Sequence, residues 1–439
     1  MYPTLVPFFK QRKLQPLYSS IIGYENGHPG LLRINRSADD ILRLCNGQNQ
    51  LEDIVNCLFD TTREDRSILV QYVQEFMEMA EKNKMITYNQ YKATTPIILP
   101  LSGSAEYWSI DSISIELTEK CPLKCKHCFV EATMDKKIQL SDFLEYKLFS
   151  ELENISLEQI QLTGGEPMLH PKFWSLLEKS TQLGATVHVF TSGYVFTDEL
   201  ENNLKNFNPK QVFFQVSLDG MHSYHNEFRG ASDAFEKSIL FIKKVIASGF
   251  CVTVATCIDE QSYEEMKELC EFVKRIGVAR IRLGGISSQG RALPSEIVVD
   301  TAKRIKLKQF QHQLSVEVGS ENFSVYFIED TEKMVKSEYC NNCGIGQVLL
   351  NVKANGDINP CLMSEIVIGN LEKSSLQDIQ KRFSRTFEKI DFPRLEICQG
   401  CDKFTLCENC IVQGMINSEF TDSCAWRIEL QKLESLLME

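Results

Sequence analysis

Three cysteines in eight residues, Cys121-Pro-Leu-Lys-Cys125-Lys-His-Cys128, are the first place where residue type and spacing point to chemistry. Thiolates are soft ligands, and three are one short of the four that close a structural zinc or iron–sulfur site. Two readings stand side by side. A [4Fe–4S] cluster on three Cys keeps one iron open for a substrate or cofactor. A structural zinc ion would instead recruit a distant fourth ligand such as His127. Eight further cysteines crowd the C-terminal region: Cys340, Cys343, Cys361, Cys398, Cys401, Cys407, Cys410 and Cys424. The set from Cys343 onward runs Cys343-x12-Gly356-x4-Cys361, then Cys398-x2-Cys401-x5-Cys407-x2-Cys410, then Cys424. With no His among them, iron–sulfur ligation is favoured over zinc knuckles. Cys45, Cys57, Cys251, Cys257 and Cys270 lie outside these clusters and read as core fillers.

Other short motifs follow the Cys triplet in order. Leu162-Thr163-Gly164-Gly165-Glu166-Pro167 pairs glycines, which let backbone carbonyls approach a ligand, with a carboxylate that can support an ammonium. Thr191-Ser192-Gly193, Ser217-Leu218-Asp219-Gly220 and Phe228-Arg229-Gly230 come next. The guanidinium fork of Arg229 suits a carboxylate. As a set, these motifs resemble the radical S-adenosylmethionine (SAM) superfamily, with His127 in the aromatic slot of C-x3-C-x-aromatic-C and Ser192 where Asn is frequent. The resemblance implies a [4Fe–4S] cluster on Cys121, Cys125 and Cys128. It also implies a SAM site built from Gly164, Gly165, Glu166, Pro167, Ser192, Ser217 and Arg229, with Gly284 and Gly285 near the adenine. The C-terminal cysteines resemble the SPASM extension, although two residues separate Cys407 and Cys410 where that pattern has three. That resemblance implies one auxiliary cluster on Cys343, Cys361 and Cys410, with Cys340 as fourth ligand if the site is closed. A second would sit on Cys398, Cys401, Cys407 and Cys424. In all, three [4Fe–4S] clusters and SAM are expected.

The elements that must position these residues are legible as periodicities. From 111 to 318, candidate strands Ser112–Thr118, Gln159–Thr163, Thr186–Thr191, Gln211–Ser217, Cys251–Ile258 and Arg280–Gly284 alternate with helical stretches Ser141–Glu153, Lys172–Leu183, Phe235–Ser248 and Ser262–Ile276. Such alternation predicts an α/β fold with a parallel sheet. Six units fall short of eight, so a partial (β/α)6 barrel is expected. The Cys triplet follows its first strand, at the end where such sheets build active sites. Residues 1–95 predict two short strands, Tyr18–Ile22 and Gly30–Ile34, around the turn Glu25-Asn26-Gly27. Helices follow, with Ser37 as N-cap of the first, then Leu51–Phe59 and Arg66–Lys82, and Lys84–Tyr88 as a closing strand. This suggests a winged-helix-like unit. The stretch 93–110 has a linker composition. Residues 335–439 form the Cys-rich end, with an Asn355-Gly356 hairpin between Val348–Val352 and Ile358–Pro360.

The chain has 439 residues, enough for about three domains. Its formal charge of −12 argues against a general nucleic-acid binder. No export signal or membrane-spanning run is evident, so the cysteines are expected to be reduced and the protein cytoplasmic. The domain order resembles that of radical SAM peptide maturases, which implies a leader-recognition domain, a barrel and an auxiliary-cluster domain. The partners implied are a ribosomally made precursor peptide with its leader and a reductant such as flavodoxin or ferredoxin. Lys10, Arg12 and Lys13 would attract an acidic leader, or else form a solvated face. The leading reaction is an intramolecular thioether from a Cys sulfur to a carbon, as in sactipeptide or ranthipeptide synthases. Carbon–carbon or carbon–oxygen crosslinking of a peptide is the alternative reaction, and a non-catalytic cluster- or zinc-bearing scaffold the alternative of another class. His222 and His225 are placed in a loop after Asp219.

Overall fold

The computed structural model describes residues 1–25, 28–293, 301–327, 343–419 and 423–438. Contacts divide the chain into two units, 1–109 with 154–158, and 110–153 with 159–439. In the first unit, β1 (Tyr2–Leu5), β2 (Phe9–Leu14), β3 (Ser19–Glu25) and β4 (His28–Ile34) precede α1 (Arg36–Leu44), α2 (Leu51–Thr62), α3 (Arg66–Lys82), β5 (Ile86–Asn89) and β6 (Leu101–Gly103). The sheet order is β4-β3-β2-β6, and β1 pairs antiparallel with β5. Within 93–110, which has a linker's composition, β6 lies parallel to β2. The helices bury Ile41, Leu42, Ile54, Val55, Leu69, Val73, Phe76 and Met77, the spacing of three and four that puts apolar residues on one face. Asn35, not Ser37, caps α1: its Oδ1 accepts from the Ala38 amide at 2.8 Å. Asn wins because its carbonyl reaches the third residue of a helix that starts at Arg36.

The basic cluster is not a free surface. Arg12 donates from Nε and Nη2 to the two carboxylate oxygens of Asp39, each at 2.5 Å. Lys13 is fully buried and donates to the Ser156 carbonyl at 3.0 Å. Of the three, only Lys10 remains exposed.

The second unit is built on parallel strands β7 (Ser112–Glu116), β8 (Gln159–Thr163), β9 (Thr186–Thr191), β10 (Val212–Ser217), β11 (Cys251–Ile258) and β12 (Arg280–Gly285). Between them run α4 (Asp142–Leu152), α5 (Phe173–Gln182), α6 (Leu200–Leu204), α7 (His222–Arg229), α8 (Ala234–Ala247) and α9 (Tyr263–Arg275). These are the six repeats of a partial barrel. Alternation decides which face does what. Phe214 packs edge-on to Phe241 of α8, so Phe213, Gln215 and Ser217 face the other way, into the lumen. After β12 come α10 (Thr301–Glu317) and a seventh parallel strand, β13 (Ser324–Phe327).

The Asn-Gly hairpin is present as β14 (Leu349–Val352) and β15 (Asp357–Asn359), followed by β16 (Gly369–Asn370). β14 pairs parallel to β7, which makes one sheet of ten strands, β13-β12-β11-β10-β9-β8-β7-β14-β15-β16. The remainder forms α11 (Leu376–Glu388), α12 (Phe404–Cys407), α13 (Ile411–Glu419) and α14 (Arg427–Met438). Among the described residues, no helix is long and apolar enough to cross a membrane.

Candidate active site

Cys121, Cys125 and Cys128 lie on the loop that leaves β7, and all three border one cavity of about 420 Å³. The loop is held on three sides. Its Lys124 and Lys126 amides donate to the Arg229 and Phe228 carbonyls at 3.0 and 3.1 Å. The loop after β8 presses on its start. The Gly165 amide donates to the Thr118 carbonyl at 2.6 Å, and a Cβ on Gly165 would stand 2.3 Å from the Lys120 carbonyl. Here glycine is needed because two backbones touch. The segment after β12 holds the third side. The Arg291 amide donates to the Cys128 carbonyl at 3.1 Å, and its Nε and Nη1 donate to the Cys125 and Ala132 carbonyls at 2.8 and 3.0 Å.

The expected SAM residues divide by position. Gly164, Gly165, Ser192, Ser217 and Arg229 line the cavity, as do Gly284 and Gly285. Glu166 does not. It is fully buried behind the wall, where Oε1 accepts from Thr191 Oγ1 at 2.7 Å and Oε2 accepts from the Ser192 amide at 2.9 Å. Burial pushes its carboxyl above the usual range. Its place in this structure is to tie the β8 loop to the end of β9. Pro167 opens the short helical turn 167–169 that Glu166 caps.

Arg229 ends α7 and donates from Nε to Asp219 Oδ2 at 2.5 Å, with Nη1 3.6 Å from Cys125 Sγ. Burial opposes the charge on Asp219, but the guanidinium beside it holds the carboxyl well below the ordinary carboxylate range. His225 is buried on α7 rather than in a loop, where its Nδ1 accepts from the Asp219 amide at 3.1 Å. His222 is exposed on the same helix and pairs with Glu236. His127 stacks on Phe228 with ring centres 4.7 Å apart, and burial lowers its pKa to about 4.

The donor set fits an iron–sulfur cluster with a ligand beside it. Three thiols converge on one cavity; among the described residues no Asp or Glu borders it, and the buried His127 Nδ1 and Arg291 Nη2 find no partner. Burial pushes the Cys121 thiol up to about 12, so metal binding must displace its proton.

The structure gathers the C-terminal thiols into two groups. Burial, with Cys410 and Cys361 nearby, raises Cys343 to about 12. Cys398, Cys401, Cys407 and Cys424 border a second, small cavity with Phe404 and Trp426. Cys340 lies outside the described residues. Of the remaining cysteines, Cys45 and Cys270 are core residues, while Cys57 is exposed on α2 and Cys251 is half-buried. Cys257 lines the central cavity. Its alternation with Val254 and Ile258 could have marked it as lumen-facing. Arg291, which follows a glycine after the sixth strand, gave no such signal.

Fold and site together define a radical SAM barrel joined to an iron–sulfur domain. Residues 115–273 match the Radical SAM superfamily, and residues 332–402 match SPASM, an iron-sulfur cluster-binding domain. The chain is a radical SAM enzyme with a SPASM domain, using a [4Fe–4S] cluster and SAM in the barrel and further Fe–S clusters in the C-terminal domain. It is similar to the sporulation killing factor maturation protein SkfB of Bacillus subtilis, at 26% identity over 64% of this chain and 67% of that one. It is also similar to the antilisterial bacteriocin subtilosin biosynthesis protein AlbA of the same organism, at 23% identity over 90% and 88%. The crystal structure of Streptococcus suis SuiB bound to S-adenosylmethionine shares the fold, with a TM-score of 0.65 and 15% identity over 96% of this chain and 98% of that one.

Proposed function

We propose that this enzyme matures a ribosomally made precursor peptide by closing an intramolecular thioether between a Cys sulfur and a carbon of an acceptor residue. The observation that carries the reading is that the cavity bordered by the first three thiols also reaches the segment that directly follows Cys361. Cys121, Cys125 and Cys128 line the cavity, and the turn after Cys361 contributes Leu362 and Met363 to the same wall. Gln289 Nε2 donates to the Met363 carbonyl at 2.9 Å and fixes that turn. A peptide in the cavity would therefore reach the neighbours of Cys361 as well as the thiol loop.

In this reading Cys121, Cys125 and Cys128 hold the catalytic cluster. Cys343, Cys361 and Cys410 hold a second, with Cys340 as fourth ligand if that site is closed, and Cys398, Cys401, Cys407 and Cys424 hold a third. When bound and reduced, the catalytic cluster and SAM supply a 5′-deoxyadenosyl radical able to take hydrogen from an unactivated C–H bond. The chain's own residues position and enclose. Gly164 and Gly165 present backbone to the methionyl end of SAM, Glu166 and Pro167 brace that loop, and Ser192, Ser217 and Arg229 offer polar contacts around it. Ring closure removes two hydrogens: the carbon's would leave as an atom to the 5′-deoxyadenosyl radical and the sulfur's as a proton, with an Fe–S cluster as the acceptor of the remaining electron. A Cys340 that does not ligate would leave an auxiliary iron free to take the substrate thiolate.

The relatives' names support a peptide substrate. SkfB is a killing-factor maturation protein, AlbA serves bacteriocin biosynthesis, and SuiB has been solved bound to the precursor peptide SuiA. The first unit would read the leader, with β4 at the sheet edge as the strand to which a peptide strand adds. A cytoplasmic flavodoxin or ferredoxin would supply electrons.

The test uses anaerobically purified enzyme, SAM and a reductant, with the Cys-containing product of a neighbouring small reading frame. The expected result is 5′-deoxyadenosine together with a peptide that has lost two hydrogens and one free thiol per crosslink. A peptide two hydrogens lighter with every thiol still free would replace the thioether by a carbon–carbon or carbon–oxygen link. No 5′-deoxyadenosine would leave only a binding scaffold.

A further inference from the structure

Three arginines line the central cavity: Arg229, Arg282 and Arg291. Two are committed elsewhere. Arg229 is paired with Asp219, and Arg291 is tied to the carbonyls of the thiol loop. Arg282 is different. It sits on β12 between Ala255 of β11 and Tyr326 of β13, and is half-buried. It makes no hydrogen bond or ion pair with the described residues, and no Asp or Glu among them borders the cavity.

A guanidinium keeps its charge at every pH the protein meets. Holding that charge partly out of water without a counter-ion costs stability, and such a group gains its partner when an anion enters. Gln215 of β10 lines the same cavity with its amide likewise unengaged by the described residues, a donor–acceptor pair suited to a peptide bond. The wall near Arg282 otherwise offers Ala255 beside it, Ile286 beyond the strand end and neutral polar groups such as Thr256 and Ser287. This is the make-up of a specificity pocket: one fixed charge not committed to a protein partner, among neutral groups.

We propose that Arg282 is a carboxylate receptor, and that the peptide segment presented to the cavity carries an Asp or Glu side chain at or next to the residue that reacts. The assignment rests on the peptide-maturase reading above. SAM brings a carboxylate too, but its methionyl end must lie at the thiol loop, where Gly164, Gly165 and Arg229 already stand. Arg282 belongs to the sixth parallel strand, whereas that loop leaves the first.

The test uses SAM-loaded holoenzyme, Arg282→Gln and Arg282→Lys. The probes are N-acetyl-aspartate and N-acetyl-glutamate methylamides, with the asparagine and glutamine counterparts as controls. Binding is read from broadening of the probes' side-chain proton lines by the nearby clusters. SAM affinity is measured separately by equilibrium dialysis, and the iron content of each variant confirms that it has folded. The acidic probes should bind wild type about tenfold more tightly than the amides, lose that preference in Arg282→Gln and regain part of it in Arg282→Lys. SAM affinity should stay within about twofold. If instead only SAM weakens about tenfold in Arg282→Gln, the carboxylate at Arg282 is SAM's own and the proposal is overturned. Equal binding of acid and amide probes with unchanged SAM affinity overturns the proposal. Cleavage of SAM to 5′-deoxyadenosine in the same preparations separates the two levels. Enzyme that cleaves SAM but ignores the acidic probes loses only the Arg282 assignment, and enzyme that cannot cleave SAM loses the reading beneath it.

Discussion

Asp219 is shut off from solvent, and all its polar groups are engaged. Oδ2 accepts from Arg229, Oδ1 accepts from the Cys257 amide at 3.0 Å, its amide donates to His225, and its carbonyl accepts from Gln261 Nε2 at 2.8 Å. Removing one charge of a buried pair costs about 3–5 kcal/mol, because the other is left uncompensated. Asp219→Asn should therefore lower the stability of the second unit by about that much, read as the midpoint of urea unfolding. The depressed carboxyl contributes stability above the ordinary carboxylate range and loses it as pH falls through the folded value. The gap between wild type and Asp219→Asn should thus narrow in acid; a pH-independent gap would mean that the pair's charge is not what stabilises the site. Arg291→Gln tests another cation of the cavity wall, a half-buried one. With two carbonyl ties to the thiol loop gone, it should bind about four irons fewer per chain than wild type after gel filtration, with Arg291→Lys in between. The thiols and the Gly-Gly-Glu-Pro, Ser-Leu-Asp-Gly and Phe-Arg-Gly motifs were legible because backbone close approach and metal ligation demand particular residue types. The tasks of Asp219 and Arg291 were not, since the partners of Arg291 lie 166 and 159 residues away. Arg12 was misread for the same reason: nothing local to it announces Asp39.

At the scale of elements, one pairing joins the two domains matched in the chain: β14 beside β7. At its end Asn351 Nδ2 donates to Glu116 Oε1 at 2.8 Å, and both residues are buried. Burial raises the Glu116 carboxyl, while the Asn351 bond works the other way. Asn351 Oδ1 has no partner among the described residues. An amide at position 116 can donate to that oxygen and still accept from Nδ2, so Glu116→Gln should match or exceed wild-type stability. Asn351→Leu strands a buried carboxyl and should cost about 1–3 kcal/mol. The sign with pH is fixed. A raised carboxyl stabilises below its unfolded range and loses that contribution as pH rises through the folded value, so the advantage of Glu116→Gln should grow from mildly acidic to alkaline buffer. Thermal unfolding at several pH values reads it, and an advantage that shrinks with rising pH would contradict the argument. β7 to β12 were legible because apolar residues alternate along strands and recur every three or four along the covering helices. β1, β2 and β6 were hidden, as polar residues such as Lys13 and Ser102 take buried or paired positions there. The C-terminal helices α12 and α13 were hidden too, being only 4 and 9 residues long, too short to show a repeated apolar stripe.

For the whole molecule the arithmetic of iron joins site to fold. Eleven thiols have been assigned to three groups, of which ten lie in described residues, each group on a different part of the second unit. Fully loaded protein should carry about twelve irons per chain. Replacing Cys121, Cys125 and Cys128 by Ala should remove about four and abolish 5′-deoxyadenosine formation. Replacing Cys398, Cys401, Cys407 and Cys424 should also remove about four, yet leave SAM cleavage in place, because their small cavity shares no lining residue with the barrel's. Cys361 stands between these cases. It follows the hairpin that pairs with β7, and the residues after it enter the barrel's wall, so Cys361→Ala should spare SAM cleavage while uncoupling it from peptide crosslinking. Simultaneous assay of 5′-deoxyadenosine and crosslinked peptide reads that split. Cys361→Ala that crosslinks at the wild-type ratio would mean that the auxiliary thiols are structural and that bond formation needs only the barrel.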